Sequence, residues 1–262
     1  MNVSKFEDYR DRFRHIAMER SDNGILEMRL HSDGGDLLWG LDAHEDIAAA
    51  WDAVARDPEN RVVILTGTGD TFIHLGGVYS DNPKWATPEV WKRVHNVGRR
   101  LVMSHLDVEV PVIAAVNGHA TLHSEQVLLC DIVIAAEHAH FADHAHFHHG
   151  VIPGDGIQVI WPHVIGLNRG RYFLLTGQEL SAQEAKDFGA VNEVVPADQV
   201  LPRARELAEM LAAKPDFALR ATRMLLVNEL RKLMSDGVNM GLMTEGLGAA
   251  DFWPEPPAES HG

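Results

Sequence analysis

Short apolar runs alternate along most of the chain with longer segments that carry helix-start signals. Arg61–Thr66, Val112–Val116 and Asp131–Ala135 are largely apolar throughout, whereas Gly24–His31 alternates apolar and polar residues. Continuous apolar runs of this length are typical of strands that are buried on both faces of a parallel sheet. Because such strands alternate here with helical segments, the pattern predicts an α/β fold.

The predicted helices are recognised by the residues at their starts. Asp42–Glu45 and Ser181–Glu184 both have the spacing of a capping box. Thr87 is followed by a proline and a glutamate, which are favoured in the first helical turn. Helices are therefore expected over about Asp42–Arg56, Thr87–Ser104 and Ser181–Gly189.

The last quarter of the chain lacks strand signals. Leu201–Ala213 and Pro215–Leu233 have the periodicity of amphipathic helices, and Trp253–Gly262 has the composition of a loose polar tail. The sequence therefore predicts an α/β core that carries the active site over residues 1–197, and a helical region over residues 198–262.

The charge and the cysteine content exclude several classes of partner and framework. The 262 residues carry a formal net charge of −15, which argues against binding to nucleic acids or to anionic membranes. The single cysteine, Cys130, excludes a disulfide framework and is expected to be a small buried side chain. The polar N-terminal segment and the lack of a long apolar run predict a cytoplasmic protein without a signal peptide or a membrane span.

Histidine is the most unusual part of the composition. Six of the 16 histidines fall between His138 and His149. Such a cluster suggests acid–base chemistry, metal binding or an accident of composition. His-X-His pairs on one strand face can chelate zinc or copper, but no helical His-X-X-X-His or cysteine-containing signature accompanies them. Adventitious metal binding is therefore favoured over a functional metal site.

Five segments follow one another in an order and with spacings that are similar to the crotonase (enoyl-CoA hydratase/isomerase) superfamily. They are Val62–Gly67, Val110–Gly118, Cys130–Ala136, Gly150–Gly156 and Ala185–Val195. The resemblance spans about Ile25–Leu233. It implies a spiral of ββα units, a C-terminal helical region that mediates oligomerisation, and a homotrimer or a dimer of trimers.

The departures from this family concern the reactive groups. Typical crotonases bind a thioester oxygen with two backbone N–H groups that lie in glycine-rich or small-residue stretches. Here Thr71–Val78 lacks the usual Ala-Gly-X-Asp, and His119–Glu125 is one residue shorter than usual and has no glycine pair. Bulky residues obstruct the close approach of a ligand to the backbone. His146 also stands four residues before Gly150, where many hydratases carry the catalytic glutamate.

One subfamily, 6-oxocamphor hydrolase and related β-diketone hydrolases, resembles the chain at these points. The segment Val151–Gly166 and its continuation Asn168–Gln178 are very similar to it. The resemblance implies hydrolysis of a C–C bond in a cyclic, possibly bicyclic, 1,3-diketone by retro-Claisen chemistry, with no cofactor. The matching site residues are Trp39, His44, His123, His146, Asp155 and Glu245.

The roles that this resemblance implies fit the chemistry. A base must activate water, and an imidazole with a carboxylate partner suits that role, so His146 is expected to be the base and Asp155 its partner. His123 and the indole N–H of Trp39 would donate hydrogen bonds to the substrate oxygens. His44 and Glu245 would orient the substrate or protonate the enolate.

The sequence also suggests residues that would surround the substrate, and it leaves two alternative functions open. The loop after the first long strand is expected to supply pocket walls, and the candidates are Phe72, Val78, Tyr79 and Trp85. An enoyl-CoA hydratase or isomerase that acts on an acyl-CoA thioester is the alternative enzyme, and a non-catalytic scaffold is a further one. If His146 is the base, activity should fall below about pH 6 as a normal imidazole becomes protonated.

Overall fold

The computed structural model describes residues 3–73, 87–147 and 150–252. A six-stranded sheet lies at its centre, and from one edge to the other its strands are β1 (Ile16–Arg20), β2 (Ile25–Leu30), β3 (Val62–Thr66), β5 (Val112–Val116), β7 (Ile132–Ala136) and β10 (Glu193–Val195). β1 and β2 are antiparallel, and the other neighbouring pairs are parallel. β3 and β5 are buried along their whole length. The predicted α/β fold and its buried parallel strands are confirmed.

A second, smaller sheet contains strands that the sequence pattern did not indicate. In spatial order they are β4 (Thr71–Ile73), β6 (His119–Ala120), β8 (His140–Phe141) and β9 (Leu180–Ser181). β6 pairs in parallel with both β4 and β8, and β8 pairs antiparallel with β9. Because β6 and β8 run in the same direction, the segments that follow them leave the sheet at the same edge. His123 and His146 lie on those two segments.

Helices connect the strands and form the C-terminal region. They are α1 (Phe6–Tyr9), α2 (Leu41–Ala55), α3 (Pro88–Asp107), α4 (Glu125–Leu128), α5 (Ile157–Ile165), α6 (Leu167–Thr176), α7 (Ala182–Asp187), α8 (Val200–Ala212) and α9 (Asp216–Phe252). α3 packs between α2 and α9, and α5 packs on α6 and α9. Within the part of the chain that the structure describes, every helix is too short or too polar to span a bilayer.

Two of the three predicted helix starts are confirmed. The side chain of Thr87 accepts a hydrogen bond from the N–H of Val90, and Ser181 forms both hydrogen bonds of its capping box with Glu184. The capping box at Asp42 is wrong, because the N-cap of α2 is Gly40 and makes no side-chain cap. Asp42 instead lies in the first turn, where its charge is favourable to the helix dipole.

The longest helix, α9, extends well beyond the predicted Pro215–Leu233. It runs to Phe252. The predicted polar tail, Trp253–Gly262, lies outside the described residues. The indole N–H of Trp91 on α3 donates to the carbonyl oxygen of Leu242 on α9 at 2.7 Å. The end of α9 is thereby held against the core of the same chain. Cys130 is buried and free, as predicted.

Candidate active site

One buried cluster contains all five residues predicted to be catalytic. His123 follows β6, His146 lies in the turn after β8, and Asp155 lies two residues before α5. His44 lies in the first turn of α2, and Glu245 lies on α9. All five are less than one tenth exposed. The residues come from separate parts of the chain, so the fold, and not their spacing in sequence, brings them together.

His146 has a different carboxylate partner from the predicted one. Its Nδ1 donates to Oδ1 of Asp143 at 2.6 Å, within the same turn. Asp155 Oδ2 lies 3.6 Å from Nε2 of His146, beyond normal hydrogen-bond length. The predicted pairing of His146 with Asp155 is therefore corrected: Asp143 orients the ring, and Nε2 faces Asp155 from a distance.

Asp143 could have been found from the sequence. It precedes His146 by three residues, and in a tight turn this spacing brings two side chains together. The resemblance directed attention to Asp155 instead. Asp155 does have the capping contact expected of a residue before a helix, because its Oδ1 accepts from the N–H of Ile157 at 3.2 Å.

Glu245 reaches the cluster because Gly154 and Gly241 allow the turn before α5 and helix α9 to approach each other closely. A Cβ atom at Gly154 would lie 2.2 Å from the carbonyl oxygen of Gly241. The turn before Asp155 and helix α9 can therefore approach each other closely only without side chains at this contact. Glu245 lies about one turn beyond Gly241, and its Oε1 is 3.5 Å from Nε2 of His146.

His123 is held by two carboxylates through a single ring nitrogen. Its Nδ1 donates to Oε1 of Glu125 at 2.8 Å and lies 3.0 Å from Oδ2 of Asp155. Glu125 is fully buried and was not among the predicted site residues. The pairing leaves Nε2 of His123 available for a ligand. A histidine followed two residues later by a glutamate in the shortened loop was the signal for it in the sequence.

The backbone at His123 is strained. Its φ is +49°, in the left-handed region that residues other than glycine rarely adopt. Such a conformation costs about 1–3 kcal/mol and persists where the surroundings enforce it, often at functional sites. The next residue is anchored twice: Ser124 donates to the carbonyl oxygen of Ala142 at 2.9 Å and accepts from the indole N–H of Trp161 at 2.9 Å.

These contacts form an alternating series of acids and imidazoles. The series runs from Asp143 to His146, Asp155, His123 and Glu125, and Glu245 branches from His146. We call these six residues the acid–imidazole cluster. Every member is buried, so each charge depends on its neighbours for compensation.

The carboxylates reverse the effect of burial on the two imidazoles. Burial alone would lower the pKa of His123, but Glu125 and Asp155 outweigh it and raise the pKa to about 10. Burial likewise opposes the charge on His146, yet Asp143, Asp155 and Glu245 hold the pKa of His146 well above its usual value. Both rings are therefore protonated in the free protein at neutral pH.

The pKa values of the buried carboxyl groups shift in opposite directions. Burial raises the pKa of Glu125 and of Glu245. Burial also acts on Asp155, but its two imidazole neighbours outweigh it and lower its pKa. Asp155 is thus the anion between two cations, while the two glutamates retain protons more readily than glutamates in water. The arrangement brings the buried cluster close to electrical neutrality.

Trp39, His44 and His123 form an aromatic group beside the cluster. The ring centroids of Trp39 and His123 are 4.1 Å apart, and His44 lies 5.2 Å from Trp39 and 5.5 Å from His123. Trp39 Nε1 and His44 Nε2 are buried without a hydrogen-bond partner among the residues that the structure describes. An unpaired buried polar group costs about 1–3 kcal/mol, so these atoms are candidates for contact with a ligand.

His44 differs from the other two site histidines because no carboxylate of the described residues contacts it. Burial, assisted by the charge of His123, lowers its pKa to about 3. His44 is therefore a neutral imidazole at physiological pH, and such a ring both donates and accepts hydrogen bonds.

Of the four predicted pocket-wall residues, Phe72 is among the described residues. Phe72 is fully buried in β4 and belongs to the main hydrophobic core. Val78, Tyr79 and Trp85 lie outside the described residues. Their contact with a substrate remains a prediction.

Three members of the cluster also have the composition of a metal site. Single ligating atoms of His123, Glu125 and Asp155 all lie within 4.8 Å of one another. His123 Nδ1 is hydrogen-bonded to Glu125 at 2.8 Å, and it forms an ion pair with Asp155 Oδ2 at 3.0 Å when the ring is protonated. Among the described residues, Glu125 Oε2 and Asp155 Oδ2 are buried without a hydrogen-bond partner, so His123 alone does not satisfy both carboxylates.

Comparison with known proteins places these residues in a family context. The family model described as enoyl-CoA hydratase/isomerase matches residues 21–243. A probable peroxisomal enoyl-CoA hydratase 1 from Arabidopsis thaliana is 32% identical over 200 residues, which are 75% of this chain and 69% of the relative. A carnitinyl-CoA dehydratase from Proteus mirabilis is 32% identical over 224 residues, which are 82% of this chain and 84% of the relative.

Solved structures extend the comparison to a different reaction. A β-diketone hydrolase from the cyanobacterium Anabaena sp. PCC 7120, bound to (S)-3-oxocyclohexyl acetic acid, is 40% identical with a TM-score of 0.90 and covers 93% of this chain and 97% of its own. An enoyl-CoA hydratase/isomerase from Mycobacterium paratuberculosis is 28% identical with a TM-score of 0.84, and the match covers 92% and 95% of the two chains. One fold thus carries both thioester and diketone chemistry among these relatives.

Proposed function

The chain belongs to the enoyl-CoA hydratase/isomerase family of the crotonase superfamily, and within it we propose that the protein is a β-diketone hydrolase. It would cleave a C–C bond of a cyclic 1,3-diketone with water and release a keto acid. The observation that carries this proposal is the pair of buried, carboxylate-bound imidazoles beside the unpaired nitrogens of Trp39 and His44. The 40% identity to a β-diketone hydrolase supports it independently.

The carbonyl under attack needs hydrogen-bond donors that become stronger as negative charge develops on oxygen. His123 fits this role because carboxylates occupy its Nδ1 and keep the ring cationic, while Nε2 remains available. Trp39 Nε1 is a second donor with no competing partner among the described residues. Donors fixed before the reaction stabilise an oxyanion by about 3–4 kcal/mol each in well-studied hydrolases. Glu125 would be a positioning residue for His123.

Water activation requires a base with its reactive nitrogen free. Asp143 accepts the Nδ1–H of His146, which leaves Nε2 as the nitrogen that can take a proton from water. His146 is active in this role only when neutral, so the raised pKa must be overcome by release of a proton or by its transfer to Glu245, 3.5 Å away. The His146–Glu245 pair therefore shares the proton that the reaction moves.

The proposed reaction conserves protons without a cofactor. Neutral His146 takes a proton from water as the water oxygen attacks one carbonyl carbon. The tetrahedral intermediate collapses, the bond between the attacked carbon and the central carbon breaks, and the electron pair forms the enolate of the second carbonyl. His146 or the protonated Glu245 then returns a proton to that carbon, which gives the keto acid.

The alternative function is that of an enoyl-CoA hydratase or isomerase, which the names of several relatives favour. Two buried carboxyl groups with raised pKa, Glu125 and Glu245, are of the kind that such chemistry uses for proton transfer. Both glutamates are, however, next to cationic imidazoles, so they would act within a more highly charged site.

A substrate comparison tests the proposal. Purified protein is incubated with a panel of cyclic 1,3-diketones and, separately, with crotonyl-CoA, and the loss of ultraviolet absorbance is followed. The expected result is diketone consumption with a keto acid heavier than its substrate by one water, identified by mass spectrometry, and no hydration of crotonyl-CoA. Turnover of crotonyl-CoA without turnover of any diketone would reverse the assignment.

Self-association is proposed together with this activity. Large apolar side chains are exposed along α9, and they include Phe217, Leu225, Leu226, Met240 and Leu247. Exposed apolar faces of this kind commonly mark protein–protein contacts. A homotrimer or a dimer of trimers is expected, and light scattering on a size-exclusion column measures its mass. A monomer at all concentrations would contradict this expectation.

A further inference from the structure

A second group of histidines lies on the small sheet and has no part in the proposed reaction. His119 and His140 belong to the neighbouring strands β6 and β8, and His138 lies two residues before β8. All three are half-buried, so solvent and small ions can reach them. We call them the surface histidine group. Because His119 is 19 positions before His138, the run of histidines in the sequence gave no indication that it belongs to this group.

The ring of His119 lies near both of its neighbours, although the ligating nitrogens of the three histidines do not all lie within 4.8 Å of one another. The centroid of His119 lies 5.3 Å from that of His140 and 5.9 Å from that of His138. When two imidazoles bind one tetrahedral Zn²⁺ at Zn–N distances of about 2.1 Å, their ring centres are about 5 Å apart. His119 is thus in the middle of the group, and shared ligation of one ion requires the side chains to rotate until one nitrogen of each ring faces it.

Two of the rings are oriented by outer partners. His140 Nδ1 lies 3.0 Å from the carbonyl oxygen of His138, so it carries the hydrogen and leaves Nε2 as a free lone pair. His138 Nε2 lies 2.7 Å from Oδ1 of Asp70, which leaves Nδ1 free in the same way when the ring is neutral. Metal-bound histidines almost always donate their second nitrogen to a carbonyl or a carboxylate, and both types of partner are present here.

We propose that His119, His138 and His140 bind one Zn²⁺ ion, with the carboxylate of Asp70 as the outer partner of His138. Three imidazoles are a ligand set that zinc accepts, and its fourth position would be filled by water. The ion would join β6, β8 and the turn before β4. The segments that carry His123 and His146 follow β6 and β8, so the ion would stabilise the strands from which these catalytic segments extend.

Zinc binding to the whole, untagged protein tests this proposal. The protein is treated with a chelator, dialysed and titrated with ZnCl₂ in an isothermal calorimeter. We expect one Zn²⁺ per chain with a dissociation constant of about 10 µM or lower, which this method resolves. His119→Gln and His140→Gln should each raise that constant at least about tenfold, and Asp70→Ala should raise it by about tenfold through loss of the outer partner.

Matched controls separate this site from other places where zinc could bind. His144→Gln and His163→Gln remove histidines outside the group and should leave binding unchanged. Circular dichroism and the melting temperature without zinc show that each variant is folded. Undiminished binding in both His119→Gln and His140→Gln would overturn the proposal, and so would absence of binding to the wild type. If His123→Gln alone abolished binding, the ion would belong to His123, Glu125 and Asp155, which would also overturn it.

Discussion

Two buried histidines in this fold face opposite electrostatic surroundings. His105 at the end of α3 is fully buried and stacks on Trp51, with ring centroids 4.0 Å apart. Burial, assisted by the charge of Arg223, lowers its pKa to about 3. His146 is also buried, but three carboxylates hold its pKa well above the usual value. Burial alone thus gives a neutral packing residue, whereas burial among carboxylates gives an acid–base group.

The region around His105 serves the stability of the fold, whereas the acid–imidazole cluster serves the reaction. The surroundings of His105 join α3 to α9: Arg223 donates to Oδ2 of Asp131 at 2.7 Å and also contacts the carbonyl oxygen of Val108. Changes there should alter the stability of the fold. Changes in the acid–imidazole cluster should alter the reaction, and those that leave a buried charge uncompensated should also lower the stability of the fold.

The largest effect is expected from His146→Gln. The substitution removes the base and retains a polar side chain of similar reach. We expect kcat for a cyclic 1,3-diketone to fall by about 10²–10⁴, the usual contribution of a positioned base. A folded variant with near-normal kcat would show that His146 is not the base.

Arg223→Met should lower the stability of the fold and leave kcat unchanged. It removes the charged hydrogen bonds that the buried guanidinium makes to Asp131, which is partly exposed, and to the carbonyl oxygen of Val108, and the loss of such bonds costs about 1.5–3 kcal/mol. Urea denaturation measures the loss of unfolding free energy. Under conditions where the variant is fully folded, kcat should equal that of the wild type. A large loss of kcat in the folded variant would mean that the two regions are not separate in function.

Asp143→Asn should have a moderate effect on rate and a distinct effect on pH dependence. The amide can still accept the Nδ1–H of His146, so we expect kcat to fall by about 10–100-fold, in the range typical of an orienting residue. Loss of the negative charge lowers the pKa of His146, so the neutral base persists to lower pH. The acid limb of the kcat profile should therefore move to lower pH than in the wild type. A limb that stays in place would remove Asp143 as the group that raises this pKa.

The smallest effect is expected from His105→Phe. The new ring keeps the stacking on Trp51 and loses only weak polar contacts, among them a distance of 3.8 Å to Sγ of Cys130. The unfolding free energy should change by less than about 1.5 kcal/mol, and kcat should not change. A loss of activity would show that His105, despite its neutral state, acts on the site.

The sequence predicted most of the framework because the framework obeys local rules. Continuous apolar runs identified β3, β5 and β7, and cap residues identified the starts of α3 and α7. β1 has no comparably clear pattern and was missed. The length of α9 was also missed, because amphipathic periodicity predicted a helix only as far as Leu233. Gly246 makes room for Trp91, since a Cβ atom there would lie 2.1 Å from the indole nitrogen.

The residues of the site could be predicted, but the contacts between its acids and its imidazoles could not. The resemblance supplied His123, His146, Asp155 and Glu245, and the fold does bring them together. Which acid contacts which imidazole depends on the turns after β6 and β8, where the sequence has several acidic residues within reach. The charge states follow from those contacts. An acid limb near pH 6 was expected for a normal imidazole, whereas the raised pKa of His146 moves that limb to higher pH.

The most direct test of this account is the protonation state of the four buried histidines. Two-dimensional NMR of the protein labelled with ¹⁵N-histidine, assigned with single His→Gln variants, reports the charge of each ring as a function of pH. At pH 7.5 we expect His123 and His146 to be imidazolium ions, with His123 losing its proton near pH 10, and His44 and His105 to be neutral. If His123 and His146 were neutral at this pH like the other two, the carboxylates would not control the site and the account would be wrong.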